Sequence, residues 1–216
     1  LTNPSRLQVT SLSDSHPKGF GMLQRDGEWD NYLDAEANYH LRPGLWVTPE
    51  AGFEKGRLEV VEIPTNSEIH DNIVAFWTPE KPFVSGESLY FSYNLSTVEQ
   101  NPFVSELASV VRTRQGAAVL PGDEFEDASL NTTRQFSIDF SAPSGFSFNS
   151  DTTKLIVQAS NGQVSKQRMH PVADGAEIRA TFFLKPKEKQ TVDMRAYIEQ
   201  DGKRISEVWN YVYQPQ

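Results

Sequence analysis

The sequence predicts an all-β protein. Thirteen glycines and thirteen prolines are scattered between short apolar runs instead of gathering in one linker, so the chain turns often. Aromatic side chains make up 11% of the 216 residues, and the apolar runs are short, β-branched and bounded by turn residues. In the second half these runs recur at even intervals, the spacing of a two-sheet sandwich.

Taken in order, the first strand is expected within Arg6–Leu12, where Leu7 and Val9 alternate with polar residues. Nothing earlier in the sequence can pair with it, so its partner is expected upstream of Leu1. Gly19–Gln24 is a short apolar segment whose two glycines flag a bulge or a close backbone approach, and Arg25-Asp26-Gly27 is a turn. Glu28–His40 is too polar for a core strand and reads as a helix of one or two turns or an aromatic loop. Leu45–Thr48 is a brief strand held between Pro43 and Pro49. Arg57–Ile63 is β-branched and stops at Pro64, while Ile73–Trp77 is continuously apolar and is expected to be covered on both faces. Ser88–Leu95 alternates with period two and ends the first half. Ser96–Glu106 is polar and contains a proline, which predicts domains at 1–98 and 109–216 joined by a linker at 99–108.

The second half then holds strands at Ser109–Thr113, Thr133–Ser141, Lys154–Ala159, Val164–His170, Glu177–Leu184, Thr191–Glu199 and Glu207–Tyr213. Between them lie Gln115-Gly116, Ser160-Asn161-Gly162, Ala173-Asp174-Gly175 and Gln200-Asp201-Gly202, all read as turn signals. About seven strands over roughly 110 residues predict an immunoglobulin-like sandwich, here without a cysteine pair. Arg112, Arg114, Arg195 and Trp209 read as packing or interdomain residues.

The net charge of −9, with no basic run to offset it, repels phosphate backbones and argues against nucleic-acid binding. Cysteine is absent, which removes disulfides, thiolate metal sites and a cysteine nucleophile. No apolar run approaches the roughly 20 residues a membrane-spanning helix needs. His16, His40, His70 and His170 are isolated, so no metal site is expected; no G-x-S-x-G elbow or phosphate-cradling glycine loop occurs, and no cofactor is expected.

The most suggestive stretch is Val60–Pro79, VVEIPTNSEIHDNIVAFWTP. Two strands flank a polar loop carrying Glu68, His70 and Asp71. A rigid sheet presenting such a loop is the anatomy of many catalytic sites, although a solvated hairpin loop has the same composition. Around it, residues 20–80 supply Asp26, Glu28, Asp30, Asp34, Glu36 and Glu62 with Trp29, Tyr32, Tyr39, Trp46 and Trp77. Rings that stack on sugar C–H faces and carboxylates that order hydroxyls make a carbohydrate site. An acidic surface over an aromatic core uses the same inventory.

Five ordered runs carry a resemblance: Lys18–Asp26 (KGFGMLQRD), Tyr39–Pro49 (YHLRPGLWVTP), Lys55–Thr65 (KGRLEVVEIPT), Asp71–Pro79 (DNIVAFWTP) and Ile205–Tyr213 (ISEVWNYVY). Together they resemble the periplasmic glucan biosynthesis proteins G and D. The resemblance implies that residues 1–98 are the C-terminal part of a large galactose-mutarotase-like β-sandwich and that 109–216 form the immunoglobulin-like domain. It implies a periplasmic location and action on the β-1,2-linked glucose backbone of osmoregulated periplasmic glucans, by inverting hydrolysis in the full-length protein. The alternative is a non-catalytic glucan-binding or scaffold module, with a second copy of the chain or a glucan-assembly protein as its protein partner.

Carried over by motif, Asp71 is the catalytic general acid and Glu68, three residues earlier, is its companion. The family's base is an Asp in a His-Asp-Ser-Asp-Gly motif that this sequence does not contain. A general acid must carry its proton at working pH, which apolar neighbours such as Ile69 and Ile73 would favour. Arg25, Asp26, Arg42 and Trp46 are expected to converge on Asp71 from neighbouring strand ends, with Trp46 offering a face to a glucose ring and Arg42 ordering hydroxyls.

Overall fold

The computed structural model describes residues 3–67, 69–99, 101–103, 106–119, 122, 132–142, 145, 146 and 148–215. It divides into two compact units, Leu1–Val104 and Ser105–Gln216. Among the described residues every pairing between strands is antiparallel, with one isolated parallel bridge between Ala108 and Ser206, and the only α-helix is a single turn.

The second unit carries β7 (Val110–Ala117), β8 (Arg134–Ser141), β9 (Thr153–Ala159), β10 (Gln163–Val172), β11 (Glu177–Lys185), β12 (Val192–Gln200), β13 (Lys203–Arg204) and β14 (Trp209–Tyr213). One sheet has the order β10-β11-β8-β7; in the other, β12 lies between β9 and the β13 and β14 segments. Lettered in chain order, the seven long strands give ABED on one sheet and CFG on the other, the constant-type immunoglobulin arrangement. All seven sequence-predicted strands of this half fall on these elements.

Strict alternation explains the packing. Phe136, Ile138 and Phe140 of β8 and Ile178, Ala180, Phe182 and Leu184 of β11 point inward. They meet Val192, Met194, Ala196 and Ile198 of β12 and Trp209 of β14 in one core. The turns behave as their residues dictate: Asp201 and Gly202 both adopt positive φ, 51° and 76°, and form the two-residue hairpin that returns β12 into β13.

The first unit holds β1 (Gln8–Ser15), β2 (Phe20–Met22), α1 (Trp29–Tyr32), a 3-10 turn at Tyr39–Leu41, β3 (Gly44–Ala51), β4 (Lys55–Glu62), β5 (Ile73–Pro79) and β6 (Ser92–Val98). Two three-stranded sheets result, β1-β4-β5 and β2-β3-β6. Phe53 joins them: its ring lies 6.1 Å from Phe20, 5.9 Å from Trp77, 5.5 Å from Phe91 and 6.2 Å from Tyr93. Among the described residues, Phe53 is the one large apolar residue of this unit that is buried, at 8% exposure. The core here is thin.

Three expectations change. The first strand finds its partner within the chain, because Gln8–Ser15 aligns with Lys55–Glu62 along its whole length. The sixth strand begins at Ser92, not Ser88: the register shifts between Pro49 and Ala51 on β3, and Leu89–Phe91 run past Gly52 without joining the ladder. Ile73–Trp77 is covered on one face only, since Val74 and Phe76 are exposed; Val74 lies in register with Val61 and Val9 across the sheet, and Phe76 is on the same face two residues on.

Candidate functional site

The loop between β4 and β5 is built by short-range hydrogen bonds. Pro64 ends β4, and the Ile63 N–H donates to the Asn72 carbonyl at 2.7 Å, closing the neck. The Asn3 side chain then clamps Thr65 from outside, its amide donating to the Thr65 carbonyl at 2.7 Å and its oxygen accepting from the Thr65 N–H at 3.1 Å. Thr65 Oγ1 accepts from the Ser67 N–H at 3.1 Å and meets His70 Nδ1 at 3.2 Å. A threonine bonding the backbone two residues ahead fixes a tight polar turn without any apolar core.

Facing this loop is the 3-10 turn at Tyr39–Leu41. Asn38 enters it in the left-handed region, and the Arg42 N–H donates to the Tyr39 carbonyl at 3.2 Å as the chain leaves. The Arg42 guanidinium sits 4.2 Å from the centre of the Tyr39 ring, a cation–π contact that fixes both groups.

Between the two lies an open groove of about 620 Å³ lined by Asn3, Tyr39, Arg42, Thr65, Asn66, Ser67, His70, Asp71, Asn72 and Ile73. That volume suits a small ligand, and the lining is nearly all hydrogen-bonding groups: amides, hydroxyls, an imidazole, a guanidinium and a carboxylate. Such a set matches a polyhydroxyl ligand. Asp71 is the one carboxylate among the described lining residues. It is exposed, and Ile69, expected to cover it, is itself 88% exposed.

The predicted site residues therefore separate. Arg42 and Asp71 share the groove; Glu68 lies outside the described residues. Arg25, Asp26 and Trp46 are not in the groove wall. Arg25 is exposed on the segment between β2 and α1. Asp26 is committed to its own loop: Asn31 Nδ2 donates to Oδ1 and Oδ2 at 3.0 and 2.9 Å, and the Glu28 N–H to Oδ1 at 3.1 Å. The Asn31 amide, with the Glu28 N–H behind it, holds this carboxyl below the ordinary value of 3.8. The loop still serves the groove, because Gln24 Nε2 bonds the Asp26 carbonyl at 3.1 Å and the Tyr39 carbonyl at 2.7 Å. Gln24 thus ties the Asp26 loop to the backbone of Tyr39.

Trp46 packs inward. Its ring meets Phe103 edge-on at 5.7 Å, and a side chain on Gly19 or Gly21 would collide with it. The close approach that the two glycines signalled is made by this indole. Its Nε1 is buried without a hydrogen-bond partner among the described residues.

Three contributors to the groove have weaker sequence signals. Tyr39 and Arg42 stand three apart just before Pro43, spacing that permits a ring–guanidinium contact across one turn. Thr65-Asn66-Ser67 after a proline marks a side-chain-bonded turn. Asn3 has no local signal, since its partner is 62 positions away.

Comparison with known proteins decides the family. The sequence pattern described as periplasmic glucan biosynthesis protein, MdoG, matches residues 1–213. The chain belongs to this family. It is 36% identical over its whole length to glucans biosynthesis protein D 2 of Ralstonia nicotianae, covering 40% of that protein. It is 37% identical to the probable glucans biosynthesis protein D of Shewanella oneidensis, again covering 40%. To glucans biosynthesis protein G of Shewanella sp. strain W3-18-1 it is 35% identical over 98% of the chain and 37% of that protein. The chain spans about two fifths of the length of these relatives, in their C-terminal portion. Among the described residues of this family member, no helix is long and apolar enough to cross a membrane.

Proposed function

We propose that the groove between the β4–β5 loop and Tyr39–Arg42 binds the β-1,2-linked glucose backbone of periplasmic glucans, and that Asp71 is the general acid of an inverting hydrolysis carried out by the full-length protein. The observation that carries this reading is the shared groove of Asp71 and Arg42, an acid/base group beside a fixed cation among polar side chains. Membership of a family named for periplasmic glucan biosynthesis supports a glucan substrate and a periplasmic location. In the reaction, the Asp71 carboxyl gives its proton to the glycosidic oxygen as the C–O bond breaks. Water attacks the opposite face of the anomeric carbon, losing its proton to a second carboxylate about 6.5–9.5 Å away. The resemblance assigns that base to a motif outside this sequence and makes Glu68 the acid's companion on the loop.

Residues 1–98 are then the C-terminal part of a larger glucan-binding sandwich, joined through 99–108 to the immunoglobulin-like domain at 109–216. The thin core of the first unit and the greater length of the relatives support this division.

A second reading is favoured by the single described carboxylate in the groove: this chain alone binds glucan without turning it over. Two measurements separate the readings. Asp71→Asn in the full-length protein is expected to abolish shortening of linear β-1,2-glucan while leaving glucan binding measurable; cleavage at the wild-type rate overturns the catalytic role. Titration of the present chain with β-1,2-glucan is expected to show saturable binding and no products, and absence of binding removes the groove from the account.

A further inference from the structure

The outer face of the β10-β11-β8-β7 sheet carries a pattern that the glucan groove does not use. Register places His170, Arg179, Asp139 and Arg112 in one line across the four strands, and Arg168, Thr181, Ser137 and Arg114 in the next. In the first line charge is balanced. Arg179 forks onto Asp139 at 2.7 and 2.9 Å, and Arg112 bonds Glu177 at 2.8 Å. In the second line it is not. Arg168 has no ion pair among the described residues, and Arg114, 68% exposed, reaches Asp139 only at 4.0 Å, a separation and exposure that give little attraction.

Between these arginines stand Ser137 and Thr181, directly opposite each other, with no side-chain hydrogen bond among the described residues. Hydroxyls so paired across a sheet lie about 5 Å apart, and the flanking arginine backbones are about 14 Å apart, three strand spacings. Two guanidinium forks closing from opposite sides over two hydroxyls give more donors than a carboxylate's two oxygens need, and suit a tetrahedral oxyanion. The next line, Phe183, Gln135 and Gly116, is uncharged, and a Cβ on Gly116 would meet nothing within 4 Å, so the approach is open. We infer that Arg114, Ser137, Thr181 and Arg168 form a binding site for a phosphate group on the outer face of the second unit, independent of the glucan groove.

The test titrates the ¹⁵N-labelled chain with inorganic phosphate and, separately, with phosphatidylglycerol vesicles against phosphatidylcholine vesicles. Arg114→Gln/Arg168→Gln is compared with Lys189→Gln/Lys203→Gln, which removes the same charge from exposed positions elsewhere in the unit. Saturable shifts of the Ser137 and Thr181 amides by phosphate, weakened about tenfold or more in the arginine variant and less than about twofold in the lysine variant, identify a free-phosphate site. Binding to phosphatidylglycerol vesicles alone, with the same dependence on the arginines, identifies a headgroup. Ser137→Ala, which removes no charge, is expected to weaken either response. No saturable response to either probe, equal weakening by the two double variants, or equal affinity for acetate overturns the site.

Discussion

Replacing Arg179 by Met tests how the second unit tolerates a carboxylate inside its surface. Asp139 is 1% exposed although it faces away from the core, because Arg179 and Arg112 close over it from the neighbouring strands. Breaking a buried pair by removing one partner costs about 3–5 kcal/mol. Here the loss is smaller, since Arg179 is 38% exposed and Arg112 remains 3.6 Å from Oδ2. A destabilisation of about 2 kcal/mol is expected, which raises amide exchange of β8 and β11 roughly 30-fold under conditions where exchange reports the opening equilibrium. The pH dependence has a defined sign. The Arg179 hydrogen bond lowers the folded Asp139 pKa below 3.8, so the pair's stabilisation is present above the unfolded value and is lost as pH falls through the folded one. The gap between wild type and Arg179→Met is therefore widest near neutrality and narrows below about pH 4. A change under about threefold in exchange at pH 7, or a gap that widens on acidification, would refute the reasoning.

Three further outcomes are expected. Gly21→Ala drives a methyl onto the Leu45 carbonyl and to 2.9 Å from the Trp46 ring, overpacking that costs about 1–3 kcal/mol; thermal unfolding followed by tryptophan fluorescence reads it, and an unchanged midpoint counts against the packed indole. Asn3→Ala removes both clamps on Thr65, about 1–2 kcal/mol at an exposed site, so exchange should rise in 63–72 and stay unchanged in β4 and β5; uniform exchange would mean that the loop holds itself. The exposed face carrying Val9, Val74 and Phe76 should drive concentration-dependent self-association in sedimentation velocity, relieved by Phe76→Lys, whereas a monodisperse wild type shows that this face needs no cover.

The parts legible in the sequence are those fixed locally. In the second unit, period-two alternation and Gly-containing turns sit within a few residues of the structure they specify, and all seven strands were readable. In the first unit, what decided the structure was distant. The pairing of Gln8–Ser15 with Lys55–Glu62 and the clamp of Asn3 on Thr65 join segments whose local composition says nothing about each other. Trp46 shows the same limit at one side chain, since a tryptophan's composition is silent on whether its ring meets a sugar or two glycines. Asp71 was placed by motif and Arg42 by the convergence of strand ends, and the groove that unites them depends on backbone hydrogen bonds that no side-chain inventory contains.

The cationic face of the second unit was hidden for a more specific reason, which is parity. Along β7, Val110 faces Phe140, and unbroken alternation would turn Arg112 and Arg114 inward; the shift between Val110 and Arg112 sets Arg112 opposite Asp139 instead. Along β10, Val164 faces Leu184, and alternation would turn Arg168 and His170 inward; the shift between Ser165 and Arg168, where Lys166 takes a φ of 51°, sets Arg168 opposite Thr181. A single extra residue reverses which face every later side chain occupies. Two bulges on the two edge strands of one sheet thus bring four basic side chains onto its outer face. The alternative was burial of unpaired guanidiniums in the sandwich core, whose desolvation is what makes the bulged registers the stable ones.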